Sequence, residues 1–344
     1  MFKTMKYISK KNDIPDWILS ARDEAKLTAE EGKAYIEKYR NFCMKRKLTN
    51  TTLGATVIGP KLKKVTGKIC AKVCKVLSGG SVEVVTDGLE NIPDGPVIFA
   101  STHQGMLDGF VWITDCPKHA LIFHGAETNK LLLLAQVNTG LILVSRDANN
   151  SANRMNAKLD MMTVLLRGHS VYICPEGTWN LSPNRLHLPI NWGILDVAQK
   201  TQKPVVPVVI EYTYDTSSDK ERITRIHIRY GEPIVVKEDD RLADKLEEYS
   251  ERISTIRWNF IEEKGLFARD TITNYDYINY IKGNLRNLQM GKINIEVENH
   301  GILGANQEFY KFFHINNVPW DAWGELLGTE EAERLKRINR LHGV

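Results

Sequence analysis

The chain has 344 residues, 42% of them hydrophobic and 26% charged, with a formal net charge of +4. That is apolar content for one large domain or for a core with additions at both ends, and too small a charge excess to imply nucleic acid by itself. Five cysteines, Cys43, Cys70, Cys74, Cys116 and Cys174, stand without any C-x-x-C spacing, so reduced thiols in a cytoplasmic setting are expected. No secretory apolar region opens "MFKTMKYISKKNDIPDW", and runs such as "KLLLLAQV" and "PVVPVVI" are far too short to span a bilayer. A lipid substrate would be met from the surface.

Residues 13–47 read as helical, with Asp16 as a cap for "WILSARDEAKL" and Thr28 and Glu31 at capping-box spacing. A breaker-rich hinge, "TTLGATVIGP", precedes "KLKKVTGKICAKVCKVLSGG". On a helical wheel Leu62, Val65, Ile69, Val73, Val76 and Leu77 take one side, and Lys61, Lys64, Lys68, Lys72 and Lys75 the other. This basic amphipathic helix fits an anionic membrane surface, an acidic carrier protein, or simply a core with a solvated lysine face.

From about residue 82 short β-branched runs alternate with helical stretches. Strands are expected at "SVEVV", "PVIFAS", "HALIFHG", "GLILVSR", "SVYICP", "PVVPVVIEYTY" and "RITRIHIRY". Helices are expected at "AETNKLLLLAQV", "SANRMNAKLDMMTVLLRG", "NWGILDVAQKTQ" and 240–264, the last with Leu242, Leu246, Tyr249, Ile253, Ile256 and Phe260 at helical spacing. The pattern predicts an α/β fold, a mixed and mainly parallel sheet flanked by helices. The expected organisation is a helical N-terminal region over 1–81, an α/β core over 82–264 and a C-terminal extension over 265–344, whose aromatic residues suit a small subdomain core, a lid or an interface.

The candidate chemistry starts at "STHQGMLDGF", where His103 follows a buried strand and Asp108 stands five residues on. The two side chains meet only if the chain turns at His103 and Asp108 enters the first turn of the next helix. A histidine so held has one nitrogen occupied and the other free to take a proton from a hydroxyl. Taken alone, the pair fits equally a surface histidine and an acidic helix start. Two further strand ends carry polar groups: Arg146 after "GLILVS", and the turn Pro175, Glu176, Gly177 and Thr178 after "SVYIC". Cys116, His119 and His124 straddle a strand that puts the two histidines on opposite faces, so no metal site is expected. G-x-S-x-G and G-x-G-x-x-G are both absent, which removes the usual serine-hydrolase and dinucleotide motifs.

The order H-x-x-x-x-D, G-x-I-x-V-x-R, P-E-G-T and V-x-P-V over about 82–237 resembles the four blocks of the glycerolipid acyltransferase family, typified by lysophosphatidate acyltransferases of the PlsC type. The resemblance implies transfer of a fatty acyl group from a thioester, acyl-CoA or acyl-carrier protein, to a hydroxyl of a lysophospholipid, glycolipid or related acceptor. It implies His103 as general base oriented by Asp108, and Arg146, Glu176, Gly177, Thr178 and Trp179 on the acceptor side. It requires no metal or redox cofactor. Backbone N–H groups near Gly105 or Gly177 are the oxyanion candidates, and the sequence does not choose between them. Where the family usually has a basic residue after P-E-G-T, this chain has Trp179, which favours sugar rings or acyl chains over phosphate; Arg185 is a candidate to compensate. The expected setting is cytoplasmic and peripheral at the inner face of the membrane, through 61–77. A catalytically silent acyl-chain-binding protein on the same fold and a thioesterase using water are the alternatives.

Overall fold

The computed structural model describes residues 14–19, 27–49, 82–104, 108–125, 140–144, 151–177, 185–215 and 222–264, together with Thr51, Val65, Ile69 and Asn180. The helix expected over 126–137 and the C-terminal extension lie outside the described residues. Of the basic helix, Val65 and Ile69 are described; both are helical and more than half exposed.

Two N-terminal helices come first, α1 (Asp16–Leu19) and α2 (Ala29–Lys45). The capping box at the start of α2 forms as its spacing predicts: the Glu31 amide donates to Thr28 Oγ1, and the Glu31 carboxylate accepts from the Thr28 amide at 2.9 Å. Asp16 is not a cap but the first helical residue, because the Pro15 carbonyl accepts from Ile18 and Leu19.

Seven strands follow: β1 (Glu83–Asp87), β2 (Ile98–Ser101), β3 (Ala120–Gly125), β4 (Leu141–Val144), β5 (Ser170–Ile173), β6 (Val205–Asp215) and β7 (Arg222–Tyr230). They form one sheet in the order β1-β7-β6-β2-β5-β3-β4. Every pairing is parallel except the antiparallel β6–β7 hairpin. This is the mixed, mainly parallel sheet that the alternation predicts. Central strands buried on both faces read as continuous apolar runs, and β2 and β5 are buried at all four positions.

Helices α3 (Asp108–Asp115), α4 (Ser151–Leu166), α5 (Gly193–Thr201) and α6 (Leu242–Lys264) cover the sheet. One core gathers residues of α1, α2, α4, α5 and α6 against Ile98, Ala100, Val171 and Ile173. The other lies under α3, where Val111 and Trp112 pack on Phe99, Tyr172, Val208 and Tyr212. Alternation along the strands therefore decides which side chains share a compartment with α3.

The N-terminal helices are bolted to this core by a buried ion pair. Arg46, just past α2, reaches Asp160 of α4 at 2.5 Å and Asn156 at 3.1 Å, and the Thr49 amide donates to Asp160 at 3.0 Å. Both charged side chains are almost wholly buried, so removing one partner strands the other in a dry site. Asp160→Ala should therefore cost about 3–5 kcal/mol, measured as a loss in the free energy of denaturant unfolding.

Candidate active site

The site is built where β2 and β5 end side by side. Ala100 pairs with Ile173 and Ser101 with Val208 of β6, so the segments after β2 and β5 leave the sheet at one edge. Carboxyl ends of parallel strands are where α/β folds place ligand-binding and catalytic groups.

His103 and Asp108 meet as the turn predicts. The imidazole Nδ1 lies 2.7 Å from Asp108 Oδ2, and Asp108 is the first residue of α3. Asp108 is itself held from two other directions: the Gln104 amide donates to Oδ2 at 2.7 Å, and the Tyr212 hydroxyl of β6 donates to Oδ1. With its side chain 1% exposed, the carboxylate has almost no water to compete for its lone pairs. The imidazole keeps 23% of its surface exposed, which leaves a path for a reactant.

Cys174 is the third side chain in this cluster. Its sulfur lies 3.2 Å from the Tyr172 hydroxyl. Burial by itself would push the imidazole pKa down. The electrostatic influence of Cys174, then the hydrogen bond that the ring donates to Asp108, outweigh it and raise His103 to about 10.

The P-E-G-T turn is laced to the histidine loop. Glu176 Oε1 accepts from the His103 amide at 3.1 Å, and Oε2 accepts from the Leu188 amide at 2.7 Å. The His103 carbonyl accepts from the Asn180 amide at 2.8 Å. Buried Glu176 thus uses both oxygens on backbone donors of two different segments. Burial raises its pKa to about 7, while the Leu188 amide and the nearby Arg257 guanidinium pull it back. Gly177 has φ +73°, a left-handed conformation that costs glycine little, and nothing lies close to where its Cβ would be. Its identity follows from the turn, without any close backbone approach.

Arg257 of α6 braces the site from below. Its guanidinium donates to the Leu186 carbonyl at 3.0 Å and to Gln104 Oε1 at 3.2 Å, with Glu211 Oε2 3.8 Å away. The guanidinium therefore touches neighbours of both His103 and Glu176.

Arg146, Thr178 and Trp179, and the oxyanion candidate Gly105, lie outside the described residues. Arg185 is described, and its carbonyl accepts from Asn180 Nδ2 at 3.1 Å. Among the described residues there is no group of three or more His, Cys, Asp or Glu arranged to hold a metal. Nor is any described helix long and apolar enough to cross a membrane.

Sequence reasoning missed Tyr212, Cys174, Gln104 and Arg257. Two of these left a signal. Tyr212 continues the Val206, Val208, Ile210 face of β6 beyond the end of β2, and Arg257 is a cation between Ile253 and Phe260 on the apolar side of α6.

A histidine held by a carboxylate at the carboxyl edge of a mainly parallel sheet is an arrangement able to accept a proton from a hydroxyl. Residues 83–211 match the family model described as Acyltransferase. The 1-acyl-sn-glycerol-3-phosphate acyltransferase of Saccharomyces cerevisiae is 25% identical over 207 residues, 58% of this chain and 66% of that protein. The 1-acyl-sn-glycerol-3-phosphate acyltransferase alpha of Mus musculus is 28% identical over 137 residues, 38% of this chain and 45% of that one. The chain thus spans a little under two thirds of the yeast relative's length and less than half of the mouse relative's. The crystal structure of the 1-acyl-sn-glycerophosphate acyltransferase PlsC from Thermotoga maritima matches with 24% identity and a TM-score of 0.43, covering 69% of this chain and 93% of that one. The segment 83–211 is thus similar to the acyltransferase family.

Two outcomes follow from this geometry. Asp108→Asn should lower the His103 pKa from about 10, read from its imidazole proton shifts in an NMR titration. Because the folded value lies above the ordinary 6.5, His103 contributes stability that is complete below pH 6.5 and is lost as pH rises through about 10; Asp108→Asn should shrink that window. Glu176→Gln puts an amide NH2 against a backbone donor and should cost about 1–3 kcal/mol, measured by thermal or denaturant unfolding.

Proposed function

We propose that this chain is an O-acyltransferase that moves a fatty acyl group from an acyl-thioester, acyl-CoA or acyl-carrier protein, to a hydroxyl of a lysophospholipid or related lipid acceptor. The observation that carries the reading is the His103 ring, fixed through Nδ1 by an Asp108 carboxylate that two further donors hold in place. With Nδ1 committed, Nε2 of the neutral ring takes the proton of the acceptor hydroxyl as its oxygen attacks the acyl carbonyl. Asp108 keeps the ring in register and stabilises the imidazolium that forms, the division of labour of a Ser-His-Asp triad with the substrate hydroxyl as nucleophile.

The donor thioester brings its own leaving group, so the chain needs no metal or redox cofactor for the transfer, only positioning and a place for the developing oxyanion. Arg146, Thr178 and Trp179, with Glu176 and Gly177 in the same turn, form the acceptor side. Glu176 contributes by tying that turn to the His103 amide. The names of the yeast and mouse relatives support a monoacylated glycerophosphate as acceptor, whereas Trp179 in place of a basic residue supports a less charged one. The basic amphipathic segment 61–77 is the proposed contact with an anionic membrane face, and the exposure of Val65 and Ile69 supports it.

The test is release of free thiol from an acyl-thioester. Release should require an acceptor, which separates transfer from hydrolysis by water. His103→Ala should lower it by about 10²–10⁴-fold with the circular dichroism spectrum unchanged. Full turnover in His103→Ala would sink the proposal. Product mass spectrometry on phosphorylated and unphosphorylated acceptors, with both carrier types, decides the acceptor class.

A further inference from the structure

Strand β2 ends where Ser101 pairs with Val208, while β6 runs on to Asp215. The chain leaving β2 stays fastened to β6. The Thr102 amide donates to the Val208 carbonyl at 3.0 Å, and the Ile210 amide donates to the buried Thr102 Oγ1 at 3.1 Å. Tyr212 is the next residue on the face of β6 that carries Val208 and Ile210, and the β7 ladder holds its backbone opposite Ile226. Its hydroxyl thus meets Asp108 Oδ1 from a strand whose distance to the histidine loop is set by Thr102 and the backbone, not by the tyrosine itself. Tyr212 is 6% exposed, and it stands one residue past the segment 83–211 that matches the family model.

What the hydroxyl adds follows from where the other donors fall. The His103 ring and the Gln104 amide both meet Asp108 at Oδ2, each at 2.7 Å, whereas Tyr212 meets Oδ1. The terminal torsion of an aspartate is broad, so its rotamer does not set the plane of the carboxylate. Two contacts on one oxygen leave that plane free to swing about the shared atom, and a contact on the second oxygen stops it. A lone pair of Oδ2 is then kept on the Nδ1–H, in a site where the lack of water makes the bond sensitive to direction. We propose that Tyr212 is a positioning residue of the transfer, whose hydroxyl fixes the plane of the Asp108 carboxylate and through it the aim of the His103 ring at the acceptor hydroxyl. This rests on the acyltransferase reading above and adds a third member to the His103–Asp108 pair.

The part Tyr212 plays is confined to the step in which a proton moves. Nε2 must lie within hydrogen-bond reach of the acceptor oxygen, and the ring becomes an imidazolium that Asp108 stabilises. The Tyr212 hydroxyl remains a charge-assisted donor to Oδ1 throughout, and no covalent bond to it forms or breaks. The ring of Tyr212 has a second role, packing with Val111 and Trp112 in the α3 compartment. A phenylalanine would fill that role as well, so the packing and the hold on the carboxylate are separable by experiment.

The experiment compares the full chain with its Tyr212→Phe variant, using palmitoyl-CoA as donor and a monoacylated glycerophosphate as acceptor. The variant's kcat should fall about tenfold, the order of one hydrogen bond to a charged group. KM for both substrates should stay unchanged, the mark of an interaction that counts in the transition state. In a chain that already carries Asp108→Ala, adding Tyr212→Phe should lower transfer no further, because the hydroxyl acts through the carboxylate. A ring-fluorinated tyrosine at position 212, which keeps the hydroxyl and strengthens it as a donor, should restore turnover and shift the His103 Nδ1 proton in the NMR spectrum of a histidine-labelled chain. Undiminished kcat in a folded Tyr212→Phe chain overturns the proposal, and so does an equal loss in the Asp108→Ala background. The fluorinated chain keeps the test valid if the Phe variant fails to fold, since an unmoved Nδ1 proton there overturns the proposal too. Absence of transfer by the unaltered chain sinks the acyltransferase reading instead, and the Nδ1 proton still decides whether Tyr212 holds the ring.

Discussion

The arrangement turns on one buried carboxylate. Asp108 sits at the start of α3 with almost no access to water, and three donors converge on it: the His103 ring, the Gln104 amide and the Tyr212 hydroxyl. They come from the loop after β2, from that same loop's backbone and from β6. A carboxylate in water is indifferent to the direction of its partners, but one shielded from water keeps them only in a fixed geometry. The burial of Asp108 therefore gives His103 a defined ring orientation.

The surrounding fold supplies that burial. Strand β6 outruns β2, so that Tyr212 hangs over the point where the shorter strand turns away. Helix α3 seals the same face with Val111 and Trp112. On the far face α6 inserts Arg257 beneath the loops, where it meets the Gln104 side chain and the Leu186 carbonyl. Glu176 completes the frame by accepting amides from the histidine loop and from Leu188. Positioning here is shared between a charge that orients the ring and charges that hold the loops. None of the latter needs to touch a reactant.

The helical N-terminal part belongs to the same structure in an equally physical way. Arg46 and Asp160 are nearly dry, and Lys200 is buried against Asp196 while lying over the rings of Tyr35 and Tyr39. The Arg40 guanidinium donates to the Lys200 carbonyl at 2.7 Å. These contacts fix α2 against α4 and α5, in the core on the face of the sheet opposite α3.

By itself the sequence determined the element types, the mainly parallel sheet and the meeting of His103 with Asp108. Those depend on local rules: burial on both faces makes strands into apolar runs, capping needs Thr28 and Glu31 three apart, and one turn brings positions 103 and 108 together. Tertiary structure alone decided which distant side chains complete the site. Tyr212 and Arg257 lie about a hundred and a hundred and fifty residues beyond the histidine, and no periodicity couples such separations. Cys174 is adjacent to the P-E-G-T turn in sequence, yet a thiol in an apolar strand reads as core. Only the β2–β5 pairing shows that it ends beside His103, because strand neighbours are chosen by the packing of the whole sheet.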